Sequence, residues 1–171
     1  MSSQFIGEGR KHQPREMLLV SEFLSKFHAG DRTWQRVRLG SVPEELELEG
    51  LEEEERRMLG VWRRWADAVV FDGTKVTIYE AAIIPTPGDI GMLEMYLMLF
   101  PMTPEFEAMK DLPREGAIIA AVEDPVTAFL ARQKGYRYIV FTPSWVPDYI
   151  RQLRAREGRA RIAGKEIQRG R

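Results

Sequence analysis

Asp67 and Glu80 each interrupt a short apolar run, and Asp72-Gly73 lies between the two runs. Two carboxylates converging on one divalent cation can activate water and offset the charge of a phosphate. Such chemistry usually draws on a nearby lysine as well, which supports negative charge as it develops. If the two runs are paired strands in register, both carboxylates face one cleft. Two acids on a hairpin also suit a plain solvated surface, so the pair acquires meaning only from its setting.

Composition removes most other chemistries. The chain has 171 residues, no cysteine, and only His12 and His28 as histidines. Disulfides, thiolate nucleophiles and multi-histidine metal sites are therefore excluded. A metal would need oxygen ligands, which points to Mg²⁺ or Mn²⁺, and no other cofactor is expected. There is no P-loop, no dinucleotide fingerprint and no convincing Ser–His pair. Met1–Pro14 is polar and no apolar run reaches spanning length, so neither a signal peptide nor a membrane segment is expected.

The elements that must position the acids can be read from periodicity. Residues 1–13 read as a flexible arm, 14–150 as one α/β domain and 151–171 as a basic tail. Pro14 opens a helix in which Met17, Leu18, Val20, Phe23, Leu24 and Phe27 recur at helical spacing, ending near Ala29-Gly30. Thr33–Leu39 alternates, with Trp34, Arg36 and Arg38 on one side, and reads as a strand. An acidic helix starts at Leu51–Glu55. Ala66–Phe71 and Lys75–Ile83 read as strands joined by a tight Asp72-Gly73 turn. A helix follows over Asp89–Phe100, then a buried strand at Gly116–Val122. Asp124-Pro125 starts a helix closed by Gly135, and Tyr136–Phe141 is a further strand. This order predicts a mixed central sheet flanked by helices.

Arg64-Trp65-Ala66-Asp67-Ala68-Val69-Val70, the Asp72-Gly73 turn and Val76-Thr77-Ile78-Tyr79-Glu80-Ala81-Ala82 together resemble the core of PD-(D/E)XK nucleases. The resemblance covers roughly residues 15–150 and implies a restriction-endonuclease-like fold. It makes Asp67 and Glu80 the metal ligands of an active enzyme, and it sets Ala82 where the family carries its lysine. The helix after the motif often carries Gln-x-x-x-Tyr; here Tyr96 matches and Met92 stands in the Gln position. Alternation puts Lys75 on the face opposite Glu80 and Ala82. Lys110 could reach the acids only by loop folding. Glu22 is a candidate for the extra acid that some relatives place on the first helix. Without the Lys and Gln, Asp67, Glu80 and Ala82 read as vestiges of a site with no catalytic residues.

Other features suggest contacts. Glu44–Glu55 is strongly acidic, whereas Arg151, Arg154, Arg156, Arg159, Arg161, Lys165, Arg169 and Arg171 make the C-terminus basic. That tail could neutralise phosphates or dock on an acidic protein neighbour. The helix over Asp89–Phe100 is apolar nearly all round. It suits a core helix or an interface through Met92, Met95, Met98 and Met102. Trp62 and Trp65 beside Arg63 and Arg64 could bind nucleic acid. The simpler expectation has both tryptophans packed inward and the arginines paired with the acidic block.

Three readings follow. The pattern resembles proteins of tailed bacteriophages, which implies an inactive nuclease-fold virion component, such as a head–tail connector. It would be homo-oligomeric, in contact with other virion proteins, and located in the virion or in host cytoplasm during assembly. A second reading is a Mg²⁺- or Mn²⁺-dependent DNA nuclease. A third is a protein that binds DNA through its basic tail without cutting it.

Overall fold

The structure, a computed structural model, describes residues 13–41 and 64–169, with side chains described for 14–41 and 64–159. Residues 1–12, the acidic block, the helix expected from Leu51, Trp62, Arg63 and Arg171 lie outside the described residues. Gln13, expected in the arm, opens the first helix.

The chain comprises two compact units with a boundary between Phe141 and Thr142. The first contains a five-stranded sheet in the spatial order β1-β2-β3-β4-β5. The strands are β1 (Arg32–Leu39), β2 (Arg64–Phe71), β3 (Val76–Ala82), β4 (Arg114–Ala120) and β5 (Arg137–Val140). β1, β2 and β3 are antiparallel neighbours, while β4 runs parallel to β3 and β5 parallel to β4. The helices of this unit are α1 (Gln13–Phe27), α2 (Pro87–Leu99) and α3 (Pro125–Gln133). The mixed sheet flanked by helices is thus present as the sequence predicts. The second unit is dominated by one helix, α4 (Val146–Arg169), which contains most of the basic tail.

The apolar residues of β2 and β3 divide between the two faces. Val69, Ile78 and Ile118 join Ile90, Leu93 and Tyr96 of α2 in the main core. Tyr79, one residue from Ile78, points to the other face, where its ring lies 5.5 Å from that of Phe23 on α1. Close approach of α2 to β4 depends on Gly116. A Cβ there would come within 3.0 Å of both Leu93 and Leu97. The β2–β3 connection is longer than a two-residue turn. Phe71 pairs with Val76, and Asp72 Oδ1 accepts from the Thr74 and Lys75 amides at 2.8 and 2.9 Å. This Asx turn leaves Gly73 at φ 96°, a conformation glycine adopts freely.

β1 departs from expectation in one place. Gln35 pairs with Ala68 and Val37 with Ala66, but Arg36 between them takes φ 50°. The simple alternation expected over Thr33–Leu39 breaks there, because a left-handed residue re-aims its side chain and locally interrupts the ladder.

Candidate functional site

Ala68 pairs with Tyr79 and Val69 with Ile78. One more step in the same register sets Asp67 opposite Glu80, on the face that carries α2. The expected convergence of the two acids therefore occurs. Asp67 Oδ2 accepts from the Ala81 amide at 2.8 Å, which fixes the carboxylate across the strand pair. Glu80 and the Tyr96 hydroxyl lie beside Asp67, close enough to act on its ionisation and on one another's.

Two more acids act on this pair. Glu16, in the first turn of α1, lies near the Ile83 backbone and within the field of Asp67. Asp89, in the first turn of α2, accepts from the Thr86 amide at 2.6 Å and so caps its helix. Its charge also reaches Asp67, Glu80 and Glu16.

The electrostatics follow from burial and crowding. Desolvation raises Asp67 to about 6, opposed by the Ala81 amide, by Glu80 and by the charge of Arg36. Burial, and then the charge of Asp67, hold Glu80 well above the ordinary carboxylate range. Burial and the neighbouring charges of Asp67 and Asp89 raise Glu16 to about 7. Desolvation likewise raises Asp89 and pushes the Tyr96 hydroxyl up. Like charges this close cannot all ionise cheaply without a cation.

These residues suit an oxygen-ligated divalent cation. Glu80 Oε2 is buried and has no hydrogen-bond partner, which leaves a lone-pair position for a metal. Among the described residues no group of three or more metal-ligating side chains stands together. Asp67 and Glu80 would therefore be the protein ligands. Mg²⁺ commonly binds through one or two carboxylates and fills its other positions with water or phosphate.

The position that the sequence resemblance gives to a lysine holds Ala82. Ala82 is 5% exposed, lies on the Glu80 face and offers no charge. Lys75 stands on the opposite face, as alternation predicts, with its Nζ 2.9 Å from Glu115. Lys110 pairs with Glu107. Glu22 is not among the groups acting on Asp67 or Glu80; Glu16 is. Six helical residues span about 600°, so Glu16 and Glu22 face directions about 120° apart. Glu22 was the sequence's candidate on this helix, and Glu16 is the acid whose charge acts on Glu80. The signal that could have separated them is the buried stripe of Leu19, Val20, Phe23 and Leu24, which fixes how α1 is rotated against the sheet.

The remaining candidates divide. Met98 and Met102 are 72% and 52% exposed, whereas Met92 and Met95 pack partly against the core. Arg151, Arg154, Arg156 and Arg159 are exposed on α4, and Arg151 pairs with Asp148. Arg161, Lys165 and Arg169 continue the helix beyond the described side chains. Trp65 does not pack inward as expected. It is 46% exposed, with the Arg36 and Arg38 guanidiniums 5.2 and 4.8 Å from its ring centre. The acidic block expected to hold the neighbouring arginines lies outside the described residues.

No protein-family model matches the chain, and no curated protein sequence matches it. Among solved structures, the chain is similar to a repair endonuclease from Pyrococcus abyssi, with 9% identity and a TM-score of 0.45, covering 83% of this chain and 50% of that one. It is also similar to EndoMS in the EndoMS-dsDNA2 complex, with 11% identity and a TM-score of 0.44, covering 83% and 49%. The chain thus spans about half the length of these structures.

Proposed function

We propose that the chain is a non-cleaving domain of nuclease-like architecture with a structural or assembly role. The observation that carries this reading is where the described lysines go. Lys75, Lys110 and Lys134 are each paired with a glutamate away from Asp67 and Glu80, and Lys26 lies over the Phe27 and Phe141 rings. Ala82 stands at the motif's lysine position with a methyl group. A bound cation would polarise a phosphate and activate water. The acids would orient that cation, but no described lysine would support the charge of the transition state, a contribution worth several kcal/mol in such sites.

The exposed Met98 and Met102 support an assembly role, since methionine suits adaptable contacts. The setting proposed for it is the one the sequence resemblance implies: a tailed-phage particle, with several copies and other virion proteins as partners. The Arg-rich α4 is compatible with a DNA contact that does not lead to cleavage.

One observation favours a second reading. The orphaned Glu80 Oε2 and the raised acids describe a site that gains from a cation, as a Mg²⁺- or Mn²⁺-dependent DNA nuclease would. The two readings part on Ala82→Lys. The non-cleaving reading expects no Mg²⁺-dependent nicking of plasmid DNA by the native chain, and expects lysine at 82 to be the change that could create it. Robust cleavage by the native chain that disappears in Asp67→Ala would replace the first reading with the second.

A further inference from the structure

The sequence of α4 separates its charges by face. Val146 and Leu153 are buried, and Tyr149 and Ile150 are half-buried. At about 100° per residue these four fall within one arc of about 100°. The basic residues are not spread over the remainder. Arg151, Arg154, Gly158, Arg161, Lys165 and Arg169 follow one another in steps of three or four. That spacing sets them within an arc of about 80°. From Arg151 onward the arc holds five cations, one glycine and nothing else. The acids of the helix, Asp148, Glu157 and Glu166, lie outside it, as do Arg156 and Arg159.

Like charges three or four residues apart repel along a helix, so this stripe works against the element that carries it. Arg151 is relieved by its pair with Asp148. Arg154 is exposed and forms no ion pair among the described residues. Gly158 sits within the stripe, and a Cβ there would meet nothing within 4 Å. Packing therefore does not demand a glycine, which weakens the helix but lets another molecule approach its backbone closely. From Arg151 to Arg169 the stripe is about 27 Å long. Its charge is of one sign and repeats at the helical period, which suits a ligand whose own charge repeats, as a phosphodiester backbone does. The arginine fork matches phosphodiester oxygens. A membrane surface would need free apolar residues beside the charge, whereas Val146 and Leu153 are already buried.

We propose that Arg151, Arg154, Arg161, Lys165 and Arg169 form a rail for the phosphodiester backbone of a duplex nucleic acid, which is held by one face of α4 and not by the basic tail at large. The rail rests on the non-cleaving reading only for its DNA contact. It requires neither cleavage nor assembly, and its test uses neither.

The experiment is equilibrium binding of a fluorescent 20-base-pair DNA duplex to the full chain in EDTA, by anisotropy over a range of salt, with helicity followed by circular dichroism. Two variants remove the same charge from the same helix: Arg154→Gln/Arg161→Gln on the rail and Arg156→Gln/Arg159→Gln off it. Glutamine forms helix about as well as arginine, so both keep the fold. The native chain is expected to bind with a log–log salt slope of about −4. The on-rail pair should weaken binding at least about tenfold and reduce the slope by about 2. The off-rail pair should stay within about threefold of the native chain, with the slope changed by less than about half a unit. A native chain that does not bind the duplex overturns the proposal. So do two pairs that weaken binding equally, which is how a diffuse basic tail behaves. So does self-association of the native chain without DNA, seen by sedimentation, that the on-rail pair alone abolishes, since the stripe would then meet the acids of another copy. Cleavage of the duplex on adding Mg²⁺ would instead count against the non-cleaving reading and leave the rail standing.

Discussion

The two faces of β3 treat a carboxylate in opposite ways. On the α1 face, Glu115 from the neighbouring strand accepts from Lys75 Nζ at 2.9 Å, and from Thr77 Oγ1 and an Arg137 guanidinium at 3.1 Å each. Those partners outweigh its partial burial and lower it below the ordinary range. Nearby, His28 bridges Asp31 at 2.7 Å and the buried Tyr79 hydroxyl at 2.9 Å. On the α2 face, Asp67 accepts from one amide and lies beside Glu80 and Tyr96, with Glu16 and Asp89 adding like charge. One face is compensated and ties α1 to the sheet. The other has the charge of Arg36 set against four acids, which costs stability and persists most readily where a ligand supplies more positive charge.

The comparison can be broken or sharpened by mutation. The largest effect is expected from Glu80→Gln. Asp67 rises from 3.8 to about 6 on folding, and Glu80 rises as well. The folded chain therefore binds more protons than the unfolded chain between about pH 4 and 6, and this cluster's contribution to stability declines as pH rises through that window. Glu80→Gln removes one of the charges, so stability at pH 8 should increase by roughly 1–3 kcal/mol and at pH 4 hardly change. Denaturant unfolding at the two pH values measures this, and a loss at pH 8 would show the face to be compensated after all.

A cation should repair the same face. Mn²⁺ at ten times its Kd should stabilise the native chain by about 1.4 kcal/mol at pH 8. It should do nothing for the Asp67→Asn/Glu80→Gln chain, and calorimetry would detect the difference. On the compensated face the sign reverses. Glu115→Gln should cost about 1 kcal/mol at pH 7, because hydrogen bonds from charged donors weaken. Since folding lowers Glu115, that cost should fade as pH falls through its lowered pKa. The smallest effect belongs to Lys75→Met, about 0.5 kcal/mol in chemical unfolding, since the lysine is partly exposed. The pH dependence arising from the Glu80 face should be unchanged.

Much of this contrast is legible in the sequence because strands have a strict period. Alternation alone puts Glu80 and Ala82 on one face and Lys75 on the other, and the Asp72-Gly73 turn brings Asp67 to Glu80. The four-residue Asx loop keeps that pairing, since its register is set by Phe71 and Val76. The same period fails at Arg36. Positive φ is signalled by glycine or asparagine, and an arginine there has no local signature. The exposure of Trp65 was hidden as well, since it goes with the Arg36 and Arg38 guanidiniums stacked on its ring. Glu16 required the rotation of α1, which follows from packing in three dimensions.

Our proposal is that Asp67 and Glu80 do not support cleavage. It is tested most directly by incubating supercoiled plasmid with the native chain and with Asp67→Ala, each in Mg²⁺ and in Mn²⁺, and following nicking. The account predicts indistinguishable, background-level rates for both proteins with either metal. Metal-dependent nicking by the native chain that is abolished by Asp67→Ala would contradict it.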